Sequence, residues 1–479
     1  MKLYNNIAGV LSKKGINLTV GTIYDLMAIW KEWYRGNVND FHHYTDRIGG
    51  VETDCERLTM NMPKKVCEDI TKLLWTEKTR IELSNKNATK RLWEVLDSKE
   101  NAFTVNLPIF IEKFLALGNG ATVEYKDEND RTIIDYIDGD VVIPYKFTNG
   151  YIKGMITISR FVEDDGKKRI YYTHITYHEF TGDLYIKLNE LYKSNDGTTL
   201  GKEISFNSMF QNIKEEEIVR TRAPRFQIWK PNLANNFDMS SPMGISIYAN
   251  SIDKFKSIDM KYDSFYNEFI LGKKRIVVDQ SAMKGKIETD EQGNTRFVQY
   301  FDKNDKIYQG INIDGEKMKE PVKEIDMSLR HQEHIDSINA DLNWLSEGLG
   351  LGSNFYKFNG TTTKTATEVM SENSQAFRTK EHYQTVIHDC VYDLVQAICE
   401  MEGIKTNKIT IVADDSIIED KNVEQLRAQQ EVNAGLKSKK SYLMDIKGMT
   451  EQEAEEELQR IKEEKQSNQD AFGMIPNEE

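Results

Sequence analysis

The residues of this chain that could carry out chemistry do not assemble into a complete catalytic motif. Gly197-Thr-Thr-Leu-Gly-Lys-Glu203 comes close to a phosphate-binding loop, but it is one residue short and lacks the terminal Ser or Thr. Gly348-Leu-Gly-Leu-Gly352 lacks the spacing of a dinucleotide-binding loop and follows a predicted helix, whereas that loop follows a strand. We therefore expect no nucleotide-binding site and no cofactor.

Candidate metal ligands occur in pairs that lack a third partner. His331 and His334 lie on a predicted helix, but their spacing is not that of a His-Glu-x-x-His zinc site. His174 and His178 share one face of a predicted strand, with no further ligand in register. Paired carboxylates of the kind that nuclease metal sites use lie beside predicted turns, where such side chains are usually solvated: Asp138/Asp140, Asp164-Asp165 and Asp414-Asp415. These patterns predict that the chain is not an enzyme.

The composition is that of a multidomain globular protein. The chain has 479 residues, of which 39% are hydrophobic, and this is enough for several packed cores. No apolar run approaches the roughly 20 residues that span a membrane, and the first residues contain no extended apolar signal region. Cys390 and Cys399 fall in or near the apolar stripe of a predicted helix, so we expect free buried thiols and a cytosolic origin.

Two long amphipathic helices are predicted after residue 240. The first begins at Ser241-Pro242, a cap followed by proline at the first helical position, and runs for roughly 25 residues. Its apolar residues are three or four apart: Ile245, Tyr248, Ile252, Phe255, Ile258, Tyr262, Phe265 and Phe269. Its opposite face carries charged residues: Asp253, Lys254, Lys256, Asp259, Lys261 and Asp263. The second helix, about 325–345, has Ile335, Ile338, Leu342 and Leu345 at the same spacing, so we expect the two helices to pack side by side.

Between these helices, the segment 273–322 changes character. The residues 275–279 and Thr295–Tyr300 have the composition of short strands, and turn-forming residues surround them. We predict a small α/β unit at the end of the helical hairpin.

A glycine-rich loop with aromatic residues follows the second helix, from Gly348 to Gly360. After it, Thr365 and Glu368 have the spacing of a capping box. The helix that they open is predicted to continue for about 38 residues, far beyond the usual length, to Gly403.

The N-terminal half is predicted to be α+β. Helices are indicated after Thr22, from Pro63 to Thr76 and from Pro108 to Leu117. Strand-like segments then follow one another at 122–125, 132–136, 141–147, 151–160, 169–177 and 184–191. Consecutive strands with short turns indicate an antiparallel meander rather than a doubly wound sheet.

The C-terminal part is predicted to be mainly helical. A strand at 409–413 precedes helices at 420–432, 438–446 and 450–466, and we expect 467–479 to be disordered.

Three stretches carry a family resemblance. They are Ile29-Trp-Lys-Glu-Trp-Tyr-Arg-Gly36 with Phe41-His-His-Tyr44, the run from Gly348 to Ser371 with its Thr-Lys-Thr-Ala-Thr-Glu-Val sequence, and 434–439 leading to 448–457. Together and in this order they resemble the portal proteins of tailed bacteriophages, in the siphophage-type portal family. The resemblance implies a ring, usually of twelve subunits, at one capsid vertex, through whose channel double-stranded DNA is packaged and ejected.

The resemblance also implies a division of the chain and a set of partners. The regions would be a wing (1–240), two stem helices (241–272 and 324–346), a clip (273–323), a tunnel loop (347–363), a spine helix with the rest of the wing (364–410), and a crown with a disordered tail (411–479). The partners would be other copies of the chain, non-specifically bound DNA, terminase, a head-completion adaptor, and the major capsid and scaffolding proteins. The protein would be assembled in the host cytoplasm and located in the virion, without a membrane.

Individual residues receive roles from the same resemblance. The DNA-facing loop would contain Gly350, Gly352, Ser353, Asn354, Phe355, Tyr356, Lys357, Phe358, Asn359 and Lys364. The stem would direct Lys254, Lys256, Lys261 and Asp341 towards the channel, and the clip would dock its partners through Arg275, Arg296, Phe297 and Tyr300. Two alternatives remain open for the loop aromatics, which could lie nearest to DNA or fold back as anchors.

The net charge of −14 bears on these roles. A protein that grips DNA tightly normally has a basic face, and this chain has no basic bias. Two interpretations remain open: an acidic channel that lets DNA slide, or an acidic balance that keeps a large assembly soluble. The rival functions are a metal-dependent DNA-processing enzyme and a capsid adaptor without a channel.

Overall fold

The computed structural model describes residues 2–16, 22–48, 51–76, 78–164, 168–211, 213–271, 275–278, 284–289, 295–300, 322–325, 328–358, 366–412, 421–449 and 451–472. Across these residues the protein mixes helices and sheets, as the sequence predicts. Among the helices of these segments, none is both long enough and apolar enough to cross a membrane.

The helices are α1 (Lys2–Lys13), α2 (Ile23–Arg35), α3 (Asn39–His42), α4 (Met62–Leu74), α5 (Lys86–Leu96), α6 (Phe103–Leu117), α7 (Ile252–Leu271), α8 (His331–Gly348), α9 (Ala366–Met401), α10 (Lys421–Asn433), α11 (Lys439–Lys447) and α12 (Glu451–Phe472). The strands are β1 (His43–Ile48), β2 (Val51–Glu56), β3 (Arg80–Leu83), β4 (Gly120–Lys126), β5 (Thr132–Asp138), β6 (Val142–Thr148), β7 (Tyr151–Asp164), β8 (Arg169–Thr181), β9 (Leu184–Ser194), β10 (Lys202–Ile204), β11 (Glu216–Arg220), β12 (Phe226–Trp229), β13 (Arg275–Val278), β14 (Lys284–Thr289), β15 (Thr295–Tyr300), β16 (Val322–Ile325) and β17 (Ile409–Val412).

The largest hydrophobic core lies between the N-terminal helices, the long helix α9 and a three-stranded sheet with the order β12-β4-β5. Helix α6 is apolar on nearly every side, as the sequence predicts, and its Phe110 and Phe114 rings contact the buried indole of Trp229 at centroid distances of 5.4 and 5.8 Å. Because Leu394 and Ile398 of α9 belong to the same core, the end of α9 is joined to the N-terminal part of the chain.

A buried chain of polar side chains crosses the three-stranded sheet. The Trp229 indole N–H donates to Thr122 Oγ1 (3.1 Å), whose hydroxyl donates to Gln227 Oε1 (2.6 Å). The Gln227 amide in turn donates to Glu124 Oε2 (3.1 Å), and the side chain of Glu124 is 1% exposed. Its second oxygen, Oε1, has no hydrogen-bond partner among the described residues. Burial raises the pKa of Glu124 to about 8, so this carboxyl keeps its proton at neutral pH.

The second sheet is an antiparallel meander in which neighbours along the chain are neighbours in space, with the order β10-β9-β8-β7-β6; β11 also pairs with β9. The turn between β6 and β7 has positive φ at both Asn149 (51°) and Gly150 (76°), the conformation that a two-residue hairpin turn requires. Helix α1 places Ile7 and Leu11 in the hydrophobic cluster on this sheet.

All six predicted strands of the N-terminal half are present, but they do not form one meander. The strands β4 and β5 pair with each other and with β12, apart from the meander that begins at β6. The buried polar chain described above explains this separation, because it bonds β4 to β12, a short strand that the sequence did not reveal.

The predicted start of the first long helix at Ser241-Pro242 is wrong. Helix α7 begins at Ile252, after a 3-10 turn at Ala249–Ser251. The preceding residues follow an irregular buried path on which the Gly244 N–H donates to Asn119 Oδ1 (2.8 Å) and the Ile247 N–H donates to a helix-α6 carbonyl (3.1 Å). The apolar residues of this segment therefore fill the main core at helix-like spacing without forming a helix.

The second helix also begins later than predicted, at His331 (α8), because residues 322–325 form strand β16. Strand β16 pairs with β13, and β14 pairs with β15, so the described parts of the predicted insert are two antiparallel strand pairs. Both predicted strands of the insert are confirmed, since they correspond to β13 and β15.

The predicted long helix is confirmed as α9, which has 36 residues. The strand after it, β17, pairs with β3, so residues 409–412 complete a two-stranded sheet whose first strand lies at 80–83 in the N-terminal half. The three predicted C-terminal helices correspond to α10, α11 and α12, and Ser438 caps α11 by accepting from the Ser441 N–H (3.0 Å). Helix α12 continues to Phe472, so the expectation of disorder from residue 467 is wrong for 467–472.

Candidate functional site

The helices α7 and α8 pack along each other, and polar contacts join them beside the buried apolar residues. Lys261 Nζ lies 2.7 Å from Asp341 Oδ2, and the Ser257 hydroxyl donates to the same oxygen (2.6 Å). Lys254 Nζ donates to the Trp344 carbonyl oxygen (3.0 Å). Hydrogen bonds and charge therefore help to fix the register of the two helices, together with apolar packing.

This arrangement corrects the prediction that the charged residues of α7 lie opposite its partner helix. Lys254 and Lys261 both face α8, and Asp341 is buried between the helices with 5% of its side chain exposed. Lys256 is exposed, as predicted, and lies 3.4 Å from the Asp253 carboxylate in the previous turn. Among the four predicted stem residues, Lys256 alone has a side chain directed mainly to solvent.

Asp259 of α7 is buried and fastens the helix to the loop before α4. Its Oδ1 accepts the Met60 N–H (2.9 Å), and its Oδ2 accepts the Thr59 hydroxyl (2.9 Å) and lies 3.2 Å from His42 Nε2. Since His42 Nδ1 accepts the Val38 N–H (2.8 Å), the ring proton of a neutral His42 is on Nε2 and is donated to Asp259. Burial raises the pKa of Asp259 despite these hydrogen bonds.

The sequence pattern predicts Asp259 on the solvated face of the helix, and this prediction is wrong. A usable signal was present, because the carboxylate follows the buried Ile258 directly and lies four residues after the buried Phe255. An acidic residue beside an apolar stripe is a candidate for a buried, hydrogen-bonded position.

The far end of the helix pair is joined by charge and by an aromatic stack. The Arg330 guanidinium binds both carboxylate oxygens of Glu268 (2.8 and 3.1 Å) and lowers the pKa of this half-buried carboxyl to about 2. The His334 ring stacks on Phe265 with centroids 5.3 Å apart. Phe269 is nevertheless 47% exposed, so the apolar stripe of α7 continues past the part of the protein that covers it.

The described part of the predicted loop, 349–358, folds back on the helices that flank it. The Tyr356 N–H donates to Ser346 Oγ (3.1 Å), and the Phe358 N–H donates to Asn339 Oδ1 (2.8 Å). The Thr379 hydroxyl of α9 donates to the Gly350 carbonyl oxygen (2.6 Å). The loop is thereby tied to both α8 and α9.

Two of the three loop aromatics fold back on the protein, which is one of the two alternatives that the sequence left open. Tyr356 is buried, with a pKa raised by burial, and Phe358 packs against Tyr262 and Phe265 of α7 at centroid distances of 6.3 and 6.0 Å. These two residues are anchors. Phe355 is 39% exposed and contacts the Tyr356 ring edge-on.

The remaining predicted loop residues differ in their surroundings. Gly350, Gly352 and Asn354 all have positive φ, and the Ser353 hydroxyl donates to Glu347 Oε1 (2.7 Å). Lys357 is half-buried. Asn359 and Lys364 lie outside the described residues.

The four predicted clip residues are distributed over both strand pairs of the insert. Arg275 is on β13 opposite Ile325. Arg296, Phe297 and Tyr300 are on β15, paired with the residues Glu288, Ile287 and Lys284 of β14. The strands thus bring three of the four onto one strand pair.

The two histidines of the meander lie in hydrogen-bond networks. Among the residues that the structure describes, no group of three or more His, Cys, Asp or Glu side chains could hold a metal ion. His174 Nε2 donates to Asn189 Oδ1 (3.0 Å), and His178 Nδ1 is 2.8 Å from the Tyr185 hydroxyl, so both histidines belong to hydrogen-bond networks of the meander.

Comparison with known proteins identifies the family. A sequence model described as "Phage portal protein, SPP1 Gp6-like" matches residues 22–471. No curated protein matches the chain.

Solved structures with a similar arrangement come from gene transfer agent particles. "Neck of empty GTA particle computed with C6 symmetry" has 12% identity and a TM-score of 0.42, covering 81% of this chain and 89% of that one. "Virion of native gene transfer agent (GTA) particle" has 10% identity and a TM-score of 0.41, covering 81% and 88%. "Neck of native GTA particle computed with C12 symmetry" has 12% identity and a TM-score of 0.37, covering 80% and 88%. With TM-scores below 0.5, these likenesses carry no further argument.

Proposed function

The chain belongs to the SPP1 Gp6-like family of phage portal proteins, and on this basis we propose that its copies form a ring at a capsid vertex through which double-stranded DNA enters and leaves. The family match carries the proposal, because it extends over 22–471 and so includes α7, α8, the loop after them and α9. A ring of twelve copies in the virion, assembled in the host cytoplasm, is the form that we propose.

In this proposal α7 and α8 form the stem of the ring. Their facing side chains bind each other, which leaves the outward row of α7, containing Asp253, Lys256, Met260 and Ser264, available for the channel. This row carries one positive and one negative charge, and such a surface attracts DNA phosphates only weakly and without regard to sequence. Weak attraction suits a conduit through which DNA must slide.

Lys254, Lys261 and Asp341 act in this proposal by holding the stem helices together rather than by touching DNA. Lys256 is the proposed stem contact. The matched test compares Lys256→Ala with Lys254→Ala: the first should change the salt dependence of DNA passage, and the second should lower the thermal stability of the subunit.

We assign the other regions in the same way as the sequence analysis does, with the wing at 1–240, the clip at 273–323, the spine helix and rest of the wing at 364–410, and the crown at 411–479. The clip would dock terminase during packaging and a head-completion adaptor afterwards. Phe297→Asp on β15 should therefore weaken binding of these partners, or ring closure, while the wing still folds. The outer surface would contact the capsid and scaffolding proteins.

The loop after α8 is the proposed tunnel loop. Its Tyr356 and Phe358 are anchored, so the residue proposed to meet DNA is the half-exposed Phe355. Phe355→Ala should leave rings intact and impair packaging or retention of DNA, whereas Tyr356→Ala should unfold the loop. Normal packaging and retention of DNA with Phe355→Ala would count against a role of this loop in controlling the passage of DNA.

Imaging of the assembled protein by negative-stain electron microscopy tests the proposal as a whole. We expect closed rings with an axial opening. Particles without an axial opening would favour a capsid adaptor, and metal-dependent DNA cutting by the purified protein would favour a DNA-processing enzyme. A chain that stays monomeric at all concentrations and in infected cells would overturn the proposal.

A further inference from the structure

A groove of about 860 Å³ lies between α9, the β6–β7 turn and the loop 230–244. Its walls are mainly apolar, and three large side chains at it are well exposed: Met239 (91%), Tyr151 (53%) and Tyr392 (45%). Apolar side chains gathered at an open groove are typical of surfaces that bind another molecule. None of the stem, loop or clip roles proposed above uses this groove.

Two carboxylates on α9 form the acidic wall of the groove. Asp389 and Asp393 are four residues apart and therefore lie on the same face of the helix, where two like charges destabilise it. Within the described part of the chain, no Lys or Arg forms an ion pair with either carboxylate. Burial, together with the charge of Asp389, raises the pKa of Asp393.

The cation that already lines the groove is directed elsewhere. Lys230 Nζ donates to the carbonyl oxygens of Gly150 and Pro242, each at 2.9 Å, and burial lowers the pKa of this lysine. Its charge therefore serves to hold the β6–β7 turn and the loop together. The two carboxylates are left without a positive partner in this part of the protein.

The aromatic side chains make the acidic wall suitable for a cation. Tyr151 is close enough to Asp393 for this carboxylate to contribute to the raised pKa of the phenol, after the larger effect of burial. Tyr392 lies on α9 next to Asp393 and also lines the groove. A carboxylate beside aromatic rings binds guanidinium and ammonium groups through charge-assisted hydrogen bonds and cation–π contacts.

We propose that this groove is the docking site for a basic segment of another protein, in which an arginine or lysine side chain reaches Asp389 and Asp393 while aliphatic neighbours cover Met239 and Tyr392. Charge favours this occupant over a nucleic acid, because the two carboxylates repel phosphates.

A peptide titration of the full chain tests this proposal. The probe is a short amphipathic peptide of leucine and arginine, labelled for fluorescence anisotropy, and its matched control has citrulline, an uncharged isostere, at every arginine position. We expect the arginine peptide to bind about tenfold more tightly than the citrulline peptide, with the difference shrinking as salt is added.

Two double variants distinguish peptide binding at the groove from attraction of the peptide by the net negative charge of the protein. Asp389→Asn with Asp393→Asn should weaken the arginine peptide about tenfold. Glu215→Gln with Glu216→Gln removes the same charge at the exposed start of β11 and should leave binding unchanged. Equal weakening by both double variants, or equal binding of the two peptides, would overturn the proposal.

The last experiment compares binding of the arginine peptide to rings and to unassembled subunits. Rings and unassembled subunits should bind the arginine peptide equally well if the occupant is another protein. Loss of binding in rings would mean that a neighbouring copy fills the groove, and it would also overturn the proposal. This outcome is distinct from failure of the portal assignment, which would appear as an absence of rings.

Discussion

Replacing Glu124 with glutamine tests whether a neutral carboxylic acid is buried in the three-stranded sheet. The native side chain accepts a hydrogen bond from Gln227, and its other oxygen has no partner among the described residues. Glutamine keeps the size and the accepting oxygen but cannot ionise. The substitution therefore changes little in the protein at acid pH and removes a charge that the native carboxyl must acquire at alkaline pH.

The magnitude follows from the pKa of Glu124, which burial raises to about 8 from its ordinary value of 4.5. Between these two values the folded state keeps a proton that the unfolded state has released, so the free energy of unfolding falls by about 1.4 kcal/mol per pH unit as the pH rises. From pH 5 to pH 7.5 this loss is about 3 kcal/mol. Stability from this group is complete below the unfolded pKa and is lost by the time the pH has passed the folded pKa.

Thermal unfolding at pH 5 and pH 7.5 measures the effect. At about 2.1 cal/mol/K of unfolding entropy per residue, cooperative unfolding of a chain of this length converts 3 kcal/mol into about 3 °C. We expect the melting temperature of Glu124→Gln, relative to the native protein, to rise by about 3 °C between the two pH values. Glu216→Gln, on an exposed position of β11, should show no such change.

The result that refutes this reasoning is a constant difference between Glu124→Gln and the native protein at both pH values. It would mean that the carboxyl does not titrate between pH 5 and pH 7.5. Ring assembly must be the same in all samples, because binding to other copies raises the apparent stability.

Three further substitutions test the supports of the candidate site. Asp259→Ala removes the acceptor of three hydrogen bonds, so urea unfolding should show a loss of about 3 kcal/mol, and a loss below 0.5 kcal/mol would contradict the proposed attachment of α7. Gly118→Ala puts a methyl group 2.2 Å from a backbone atom at a φ of 75°, so it should lower the yield of folded protein sharply. Gly182→Ala is the control, because Gly182 has a similar φ of 69° but open space around it. It should cost only about 1 kcal/mol in the same urea unfolding assay. Lys261→Met leaves the buried carboxylate of Asp341 without its cation and should lower the melting temperature by about 2 °C, and an unchanged melting temperature would show that the ion pair contributes nothing.

The sequence predicted elements whose signals are local. Alternation and turn residues located β6 to β9, and Asn149-Gly150 supplied the turn that the structure confirms. Gly403 marked the end of the long helix for the same reason, since this signal depends on neighbouring residues alone.

The errors come from contacts between distant residues. The apolar spacing of Ile245 and Tyr248 is helix-like, but the hydrogen bonds of Asn119 with residue 244 hold that segment in an irregular path. Strand β12 is too short for an alternation signal, and its place depends on the buried link between Gln227 and Glu124. Neither partner of such a pair indicates the other in a single sequence.

The candidate site was predicted as a set of elements more successfully than as a set of residues. The helix pair, the loop and the long helix were all located. The direction of each lysine side chain was not predicted, because two faces of α7 have neighbours. Helix α8 binds Lys254 and Lys261, and the loop before α4 binds Asp259. An amphipathic pattern identifies one buried face and does not reveal a second.

The pairing of β17 with β3 has a consequence for synthesis of the protein on the ribosome. Residues 80–83 gain their strand partner only after residues 409–412 have emerged, and the core around Trp30 is completed only by α9. A nascent chain that stops before α9 lacks apolar side chains such as Leu394. The core residues that would pack against them then stay in contact with water. Truncated products are therefore unable to fold as full-length subunits do, and they expose the kind of surface that chaperones and proteases recognise.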